Sequence, residues 1–253
     1  MKDIEYVLDF ATNLGSEMLV SGANLERADD TMDRVCRSYG LTDVSIFSLS
    51  SFINISAKSA DGKYASRQVS VPAMDIHLEK LDRLNQLSRK VCKNRPEPKK
   101  LSGLLKESEK IQEYTPGMIL LGRMVAMSSL SMLFGGTFKD MLASDLIVLA
   151  LLWLVNICGR HQMNNVITNM LSMTIAGSAA ILLTRIGIGD HYFIIMMTCC
   201  MLLLPGIPII NAARNLLCGN EMNGILDGIK SIIETVALVL GLIFSMFIFG
   251  VIN

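Results

Sequence analysis

The residues of this chain best placed to do chemistry are polar groups set inside apolar runs. From Leu204 to Gly224 the sequence is LPGIPIINAARNLLCGNEMNG, where Pro205, Gly206 and Pro208 interrupt a run long enough to cross a bilayer. Asn211, Arg214 and Asn215 follow within two turns. Broken backbone at membrane depth is tolerated only where protein buries it or it lines a cavity, and in transporters such breaks mark the substrate path. A half-helix beginning near Ile209 would turn its positive dipole end toward a substrate carboxylate. Arg214 could pair with the same group, and Asn211 could supply neutral hydrogen bonds. The alternative is a plain proline kink between two helices.

Two further stripes carry polar groups. Asn165, Asn169, Ser172 and Ala176 recur at helical spacing on one face of an apolar run. In the last run Asp227, Ser231, Glu234, Gly241 and Ser245 share a face, and Lys230 stands four residues before Glu234, where it could neutralise it. Polar side chains are expensive in lipid, so they turn toward protein or water. Asn165 and Asn169 are therefore candidate substrate-binding residues. Glu234 and Asp227 are candidate proton-coupling residues, and Glu234 could also hold an ammonium group. The competing explanation is hydrogen-bonded glue between helices. Gly224/Gly228 and Ala176/Ala180 would allow close helix approach. Asp145 is expected at the mouth of its run, just before the apolar stretch that starts at Leu146.

Other chemistries find little support. The six cysteines are scattered without a CxxC, as expected of reduced thiols, and His77, His161 and His191 are far apart without metal-ligand spacing. No GxSxG elbow or phosphate-binding glycine loop occurs. Neither a metal, a cofactor nor an enzymatic reaction is expected. The charged helix face Arg27, Asp29, Asp30, Asp33, Arg34 and Arg37 is taken as solvated. Lysines and arginines balance acidic residues, 23 to 23, with no basic patch, so nucleic acid is not an expected partner.

The charge distribution divides the chain. Residues 1–116 hold 17 of the basic and 17 of the acidic groups, and residues 117–253 only six of each. The expected fold is a small cytoplasmic α+β domain, 1–116, followed by a membrane α-helical bundle of five transmembrane helices, 117–253. Helical patterns are expected over 3–20, 24–40, 75–95 and 101–113. Two or three antiparallel strands are expected in 43–71, with Phe47, Leu49, Ile53 and Ile55 alternating with polar residues and a turn at Asp61-Gly62. The spans are expected at 117–136, 142–159, 164–184, 191–212 and 225–252. The start, MKDIEYVLDFATNLGSEM, lacks the layout of a secretory signal. That places the first domain in the cytoplasm and Asn253, after an odd number of spans, outside. Arg123, about one turn into the first span, is expected to snorkel.

Two stretches carry a family resemblance: GANLERADDTMDRV, from Gly22 to Val35, and LPGIPIINAARNLLCGNEMNGI, from Leu204 to Ile225. In order and setting they resemble the two signatures of the threonine/serine exporter (ThrE-type) family, with Gly22, Ala23, Arg27, Thr31 and Arg34 fitting the first. Asn24 stands where an acidic residue is expected, and Asn215 where aspartate is common. The resemblance covers essentially the whole chain. It implies an exporter of small polar metabolites in the cell (plasma or inner) membrane, acting on threonine- or serine-like amino acids or on small dicarboxylates such as succinate. Full-length members fuse this unit to a second, smaller membrane domain, so the chain resembles the large subunit of a split two-component exporter. The implied partners are a small membrane subunit of the same family, a small-molecule substrate, the lipid bilayer, and a second copy in a homo-oligomer. The rival readings are a non-transporting sensor or scaffold subunit, and a membrane-anchored enzyme with its site in residues 1–116.

Overall fold

The computed structural model describes residues 2–72, 74, 76–108, 114–161 and 163–251. The chain divides into two compact units, one formed by residues 1–113 with 211–225 and the other by residues 114–210 with 226–253.

The first unit begins with two antiparallel-sheet-covering helices, α1 (Lys2–Val20) and α2 (Leu25–Ser38). Strands β1 (Thr42–Leu49), β2 (Phe52–Lys58) and β3 (Tyr64–Ser70) follow, then α3 (Leu78–Asn94) and α4 (Leu101–Ser108). The sheet is antiparallel in the order β1-β2-β3. On α1 the apolar residues at helical spacing, Ile4, Val7, Leu8, Ala11, Leu14 and Met18, are buried. On α2, Leu25, Ala28, Met32 and Val35 are buried as well. The β2–β3 turn uses Gly62 at φ +77°, a conformation that side chains disfavour.

The strand phase differs from expectation at Phe47 and Leu49, which lie opposite Asn54 and Phe52 and not on the face of Ile53 and Ile55. Phe47 pairs with Asn54 and is 55 % exposed, whereas its neighbour Ile46, opposite Ile55, packs on the core. The Leu49–Phe52 pairing sets odd-numbered residues of β1 against even-numbered residues of β2, so Phe47 and Leu49 share no face with Ile53 and Ile55, which alternation within each strand does not show. α3 begins at Leu78 and stops at Arg95, which caps it in the left-handed conformation before Pro96. The starting position Asp75, the expected stretch 109–113 with Ile111, and the placement of Asn253 lie outside the described residues.

The second unit contains α5 (Pro116–Leu133), α6 (Phe138–Arg160), α7 (Asn165–Arg185) and α8 (Tyr192–Leu203). It also holds the start of α9 (Gly206–Leu217) and most of α10 (Glu221–Ile248). α5, α6, α7 and α10 are each long and apolar enough to span a membrane, and α8 with α9 makes a fifth crossing if the pair, bent by 59°, is one span. Large apolar side chains such as Leu133, Trp153 and Phe247 stand exposed on these helices. Lipid, rather than water, suits such surfaces, and the protein is a multi-pass membrane protein.

α6 starts four residues before its expected onset. Thr137 and Asp140 form a capping box, each satisfying a backbone N–H at the helix start. Asp145 therefore sits two turns inside α6 and is buried, not at the mouth of the span.

Candidate functional site

The broken segment has a defined geometry. α8 ends at Leu203, and Leu204 is extended. The Gly206 N–H donates back to the Leu204 carbonyl (2.8 Å), and the Ile209 N–H donates to the Pro205 carbonyl (3.1 Å). α9 thus begins at Gly206, three residues before the expected Ile209, with Pro208 in its first turn, where a missing N–H breaks no helical bond. Pro205, Gly206 and Pro208 are half-buried, and the space beside Gly206 that a Cβ would enter is open.

Beyond the break, Asn211 is half-buried, Arg214 exposed and Asn215 buried, and all three belong to the first unit. The turn between α9 and α10 is closed by the Asn220 N–H on the Asn215 carbonyl (2.9 Å), with Gly219 at φ +82°. A residue not singled out in the sequence organises this part of the unit. Asn223, 5 % exposed, donates through Nδ2 to the Ser48 carbonyl (3.1 Å) and accepts the Ser50 N–H on Oδ1 (3.1 Å). One side-chain amide thereby satisfies both backbone groups at the end of β1, as a neighbouring strand would. The Ser48 hydroxyl donates in turn to Asp29 (2.5 Å). Asp29 is therefore held in a hydrogen bond rather than simply solvated. Burial pushes its carboxyl above the ordinary range, against the opposing pull of that hydrogen bond.

Within the second unit, a shallow, open cavity of about 500 Å³ lies where α7 begins, lined mostly by exposed residues. Its polar lining is Asn164, Asn165, Lys230 and Glu234, and Leu226, Ile229 and Ile233 supply apolar wall. Asn164 is already engaged, capping α7 through the Val166 N–H (2.9 Å). Glu234 is 8 % exposed and makes no hydrogen bond or ion pair among the described residues. The expected neutralisation by Lys230 is not made as an ion pair: both line the cavity, but no salt bridge joins them. The packing thus brings together Asn165 and Glu234, which are far apart in sequence. Asn169 on α7 and Asp227 on α10 are half-buried and do not line this cavity, nor do Pro205, Gly206, Pro208, Asn211, Arg214 or Asn215.

Two buried carboxylates near the start of α6 were not among the expected site residues. Asp140, fully buried, accepts from the backbone N–H groups of Thr137 (2.9 Å), Asp190 (2.8 Å) and His191 (2.8 Å), and from the Thr137 hydroxyl (3.1 Å). The His191 ring nitrogen Nδ1 lies 2.9 Å from it. Asp190 beside it is paired with Lys139 (3.1 Å), and hydrogen bonds from Thr137 and Lys139 hold its carboxyl below the usual range. Asp145, five residues further along α6, is 9 % exposed. Its Oδ2 accepts from the Ser128 hydroxyl of α5 (2.7 Å), and its Oδ1 is buried with no partner among the described residues.

A model of one protein family, described as "Putative threonine/serine exporter", matches residues 9–249. No curated protein and no solved structure matches the chain. The family match runs through both motif stretches, the broken α8–α9 pair and the helices that line the cavity, and covers nearly all of the sequence: the chain belongs to the threonine/serine exporter family.

Proposed function

We propose that this protein exports small zwitterionic metabolites of the threonine and serine type across the cell membrane, with the cavity at the start of α7 as the substrate site. The carrying observation is the cavity itself: one buried acidic residue, Glu234, with no partner among the described residues, one lysine a helical turn away, and neutral amides, in about 500 Å³. An α-amino acid presents the matching charges, its ammonium to Glu234 and its carboxylate to Lys230, with Asn165 left for a side-chain hydroxyl. A dicarboxylate such as succinate carries no ammonium for Glu234, and only one of its two carboxylates could meet Lys230. The break at Pro205–Pro208 serves in this reading as the bend between two half-helices along the path, with Asn211, Arg214 and Asn215 following it. Asn169 and Asp227 line the route rather than the cavity. The amino-terminal domain lies in the cytoplasm, the membrane is the plasma or inner membrane, and a small membrane subunit of the same family or a second copy completes the pathway.

Counterflow in vesicles holding the full-length chain with the small subunit tests this. Labelled serine or threonine should exchange, and succinate should not. Glu234→Gln should reduce exchange to the empty-vesicle level while the protein still inserts. Arg214→Ala separates the two cations: export lost with Arg214→Ala but retained with Lys230→Ala would move the carboxylate site to Arg214. Wild-type exchange by Glu234→Gln would remove the cavity from the account.

A further inference from the structure

Asp140 and Asp145 lie on the same helix, are both buried, and differ in one respect. Asp140 has donors on both oxygens: the backbone N–H groups of Asp190 and His191 on Oδ1, and those of Thr137 on Oδ2. A carboxylate so supplied is a structural clasp, here tying the α5–α6 turn to the segment before α8. Asp145 has a single donor, Ser128, on one oxygen, while the other is sealed from solvent and meets no donor among the described residues. A buried charged oxygen left without a partner is among the costliest arrangements a protein can hold, and in a membrane span it marks function rather than packing.

We propose that Asp145 is the proton-carrying residue of this exporter, binding one proton on Oδ1 and passing it across the membrane in exchange for substrate. This rests on the export reading and gives its coupling step to a residue other than Glu234 or Asp227. A proton suits the site because it needs only the one free oxygen, whereas a sodium ion gathers several oxygen ligands at once. The step is a simple transfer: an O–H bond forms at Oδ1 as water on one side gives up a proton, and breaks again toward water on the other side, with no change of oxidation state.

The neighbours leave Asp145 to act alone. α6 packs against α5, α7 and α8. Their ionisable groups are Arg123 on α5, Arg185 on α7, and Tyr192, Cys199 and Cys200 on α8. None forms an ion pair or hydrogen bond with Asp145 among the described residues. On α6 itself, Lys139 is taken by Asp190, and Asp140 by its five contacts.

The position also separates the two ligands. α7 returns antiparallel to α6, so Asp145 near the start of α6 and the cavity at the start of α7 lie toward opposite ends of this unit, roughly 20 Å apart by helical rise. Proton and substrate would then occupy separate sites, each opening to the two faces in turn.

The test uses the full-length protein in vesicles and two readouts. The first needs no transport: dicyclohexylcarbodiimide, an apolar reagent that modifies protonated carboxyls, is applied across a pH series with and without sodium, and adducts are located by peptide mass. Asp145 should be modified, with labelling that falls as pH rises and ignores sodium, while Asp140 stays unmodified. The second compares wild type with Asp145→Asn. The variant should keep counterflow of labelled serine, which also shows that it is folded, but lose the net movement that an imposed proton gradient drives in wild type. No adduct on Asp145 at any pH, protection of Asp145 by sodium, or gradient-driven movement at the wild-type rate in Asp145→Asn would each overturn the proposal. If wild type shows no counterflow at all, the export reading falls, and the labelling result still decides whether Asp145 holds a proton.

Discussion

At the scale of single residues, Asp29 makes a pH-dependent prediction. Its carboxyl is raised by burial beside the sheet and keeps a hydrogen bond from Ser48. Because its folded value lies above its unfolded one, the unfolded chain gives up this proton first as pH rises. The residue's contribution to stability is therefore fully present below the ordinary carboxyl range and is lost as pH climbs through the folded value. Asp29→Asn keeps an oxygen to accept from Ser48 but carries no charge. The melting temperature of Asp29→Asn minus that of wild type should grow from about pH 4 toward neutrality. A difference that does not change with pH would show that burial is not what shifts Asp29. Cys36, by contrast, has its thiol pushed up to about 12, chiefly by burial, so it stays protonated and packs as an apolar side chain. At this scale the sequence singled out Asn165 and Glu234, took Lys230 only as a neutralising partner of Glu234, passed over Asn223, and set Asp145 at the mouth of its span. An asparagine or aspartate in a one-dimensional pattern carries no sign of whether its partners are present, absent or two hundred residues away.

At the scale of elements, the clamp of Asn223 on the β1–β2 connection is the contact most open to experiment. Asn223→Ala would remove the donor to the Ser48 carbonyl, a buried group whose loss of a hydrogen bond costs about 1–3 kcal/mol, and the side-chain acceptor of the Ser50 N–H. Amide exchange at Ser50 should accelerate and the melting temperature fall. Asn223→Asp, which can still accept from Ser50 but not donate to Ser48, should fall between. Exchange at Ser50 that is unchanged in Asn223→Ala would mean the hairpin holds without the clamp. The membrane helices show a second kind of contact. A Cβ on Gly241 of α10 would run into the Met170 carbonyl oxygen of α7, and one on Gly177 would meet Ser245. The Thr174 hydroxyl also lies 3.3 Å from the Gly241 carbonyl. The small-residue stripe Ala176/Ala180 is fully buried in the same unit, and small residues at this spacing are what close helix approach needs. Gly224 meets Leu216 instead, inside the turn between α9 and α10. Helices were legible because a 3.6-residue apolar period is local. The phase of β1 and the start of α6 were not, because strand register and a capping box depend on which backbone groups face each other.

At the scale of the whole molecule, the family match and the four long apolar helices with one bent pair describe a membrane exporter fold. On our reading the chain is one component of two. Vesicles holding this chain alone should exchange labelled serine much more slowly than vesicles holding it with the small membrane subunit, and equal rates would make the single chain, or its homo-oligomer, sufficient. The long apolar helices, the charge-rich and charge-poor stretches, the break at Pro205–Pro208 and the family were all determined by the sequence itself. Apolar length, charge density and proline are properties of neighbouring residues, and lipid or water responds to them without reference to the rest of the fold. The tertiary structure decided which polar groups meet. It put Asn165 beside Glu234, carried residues 211–225 into the first unit, and left one oxygen of Asp145 alone while filling both of Asp140. Whether a buried polar atom has a partner depends on what distant segments bring to it, and only packing in three dimensions settles that.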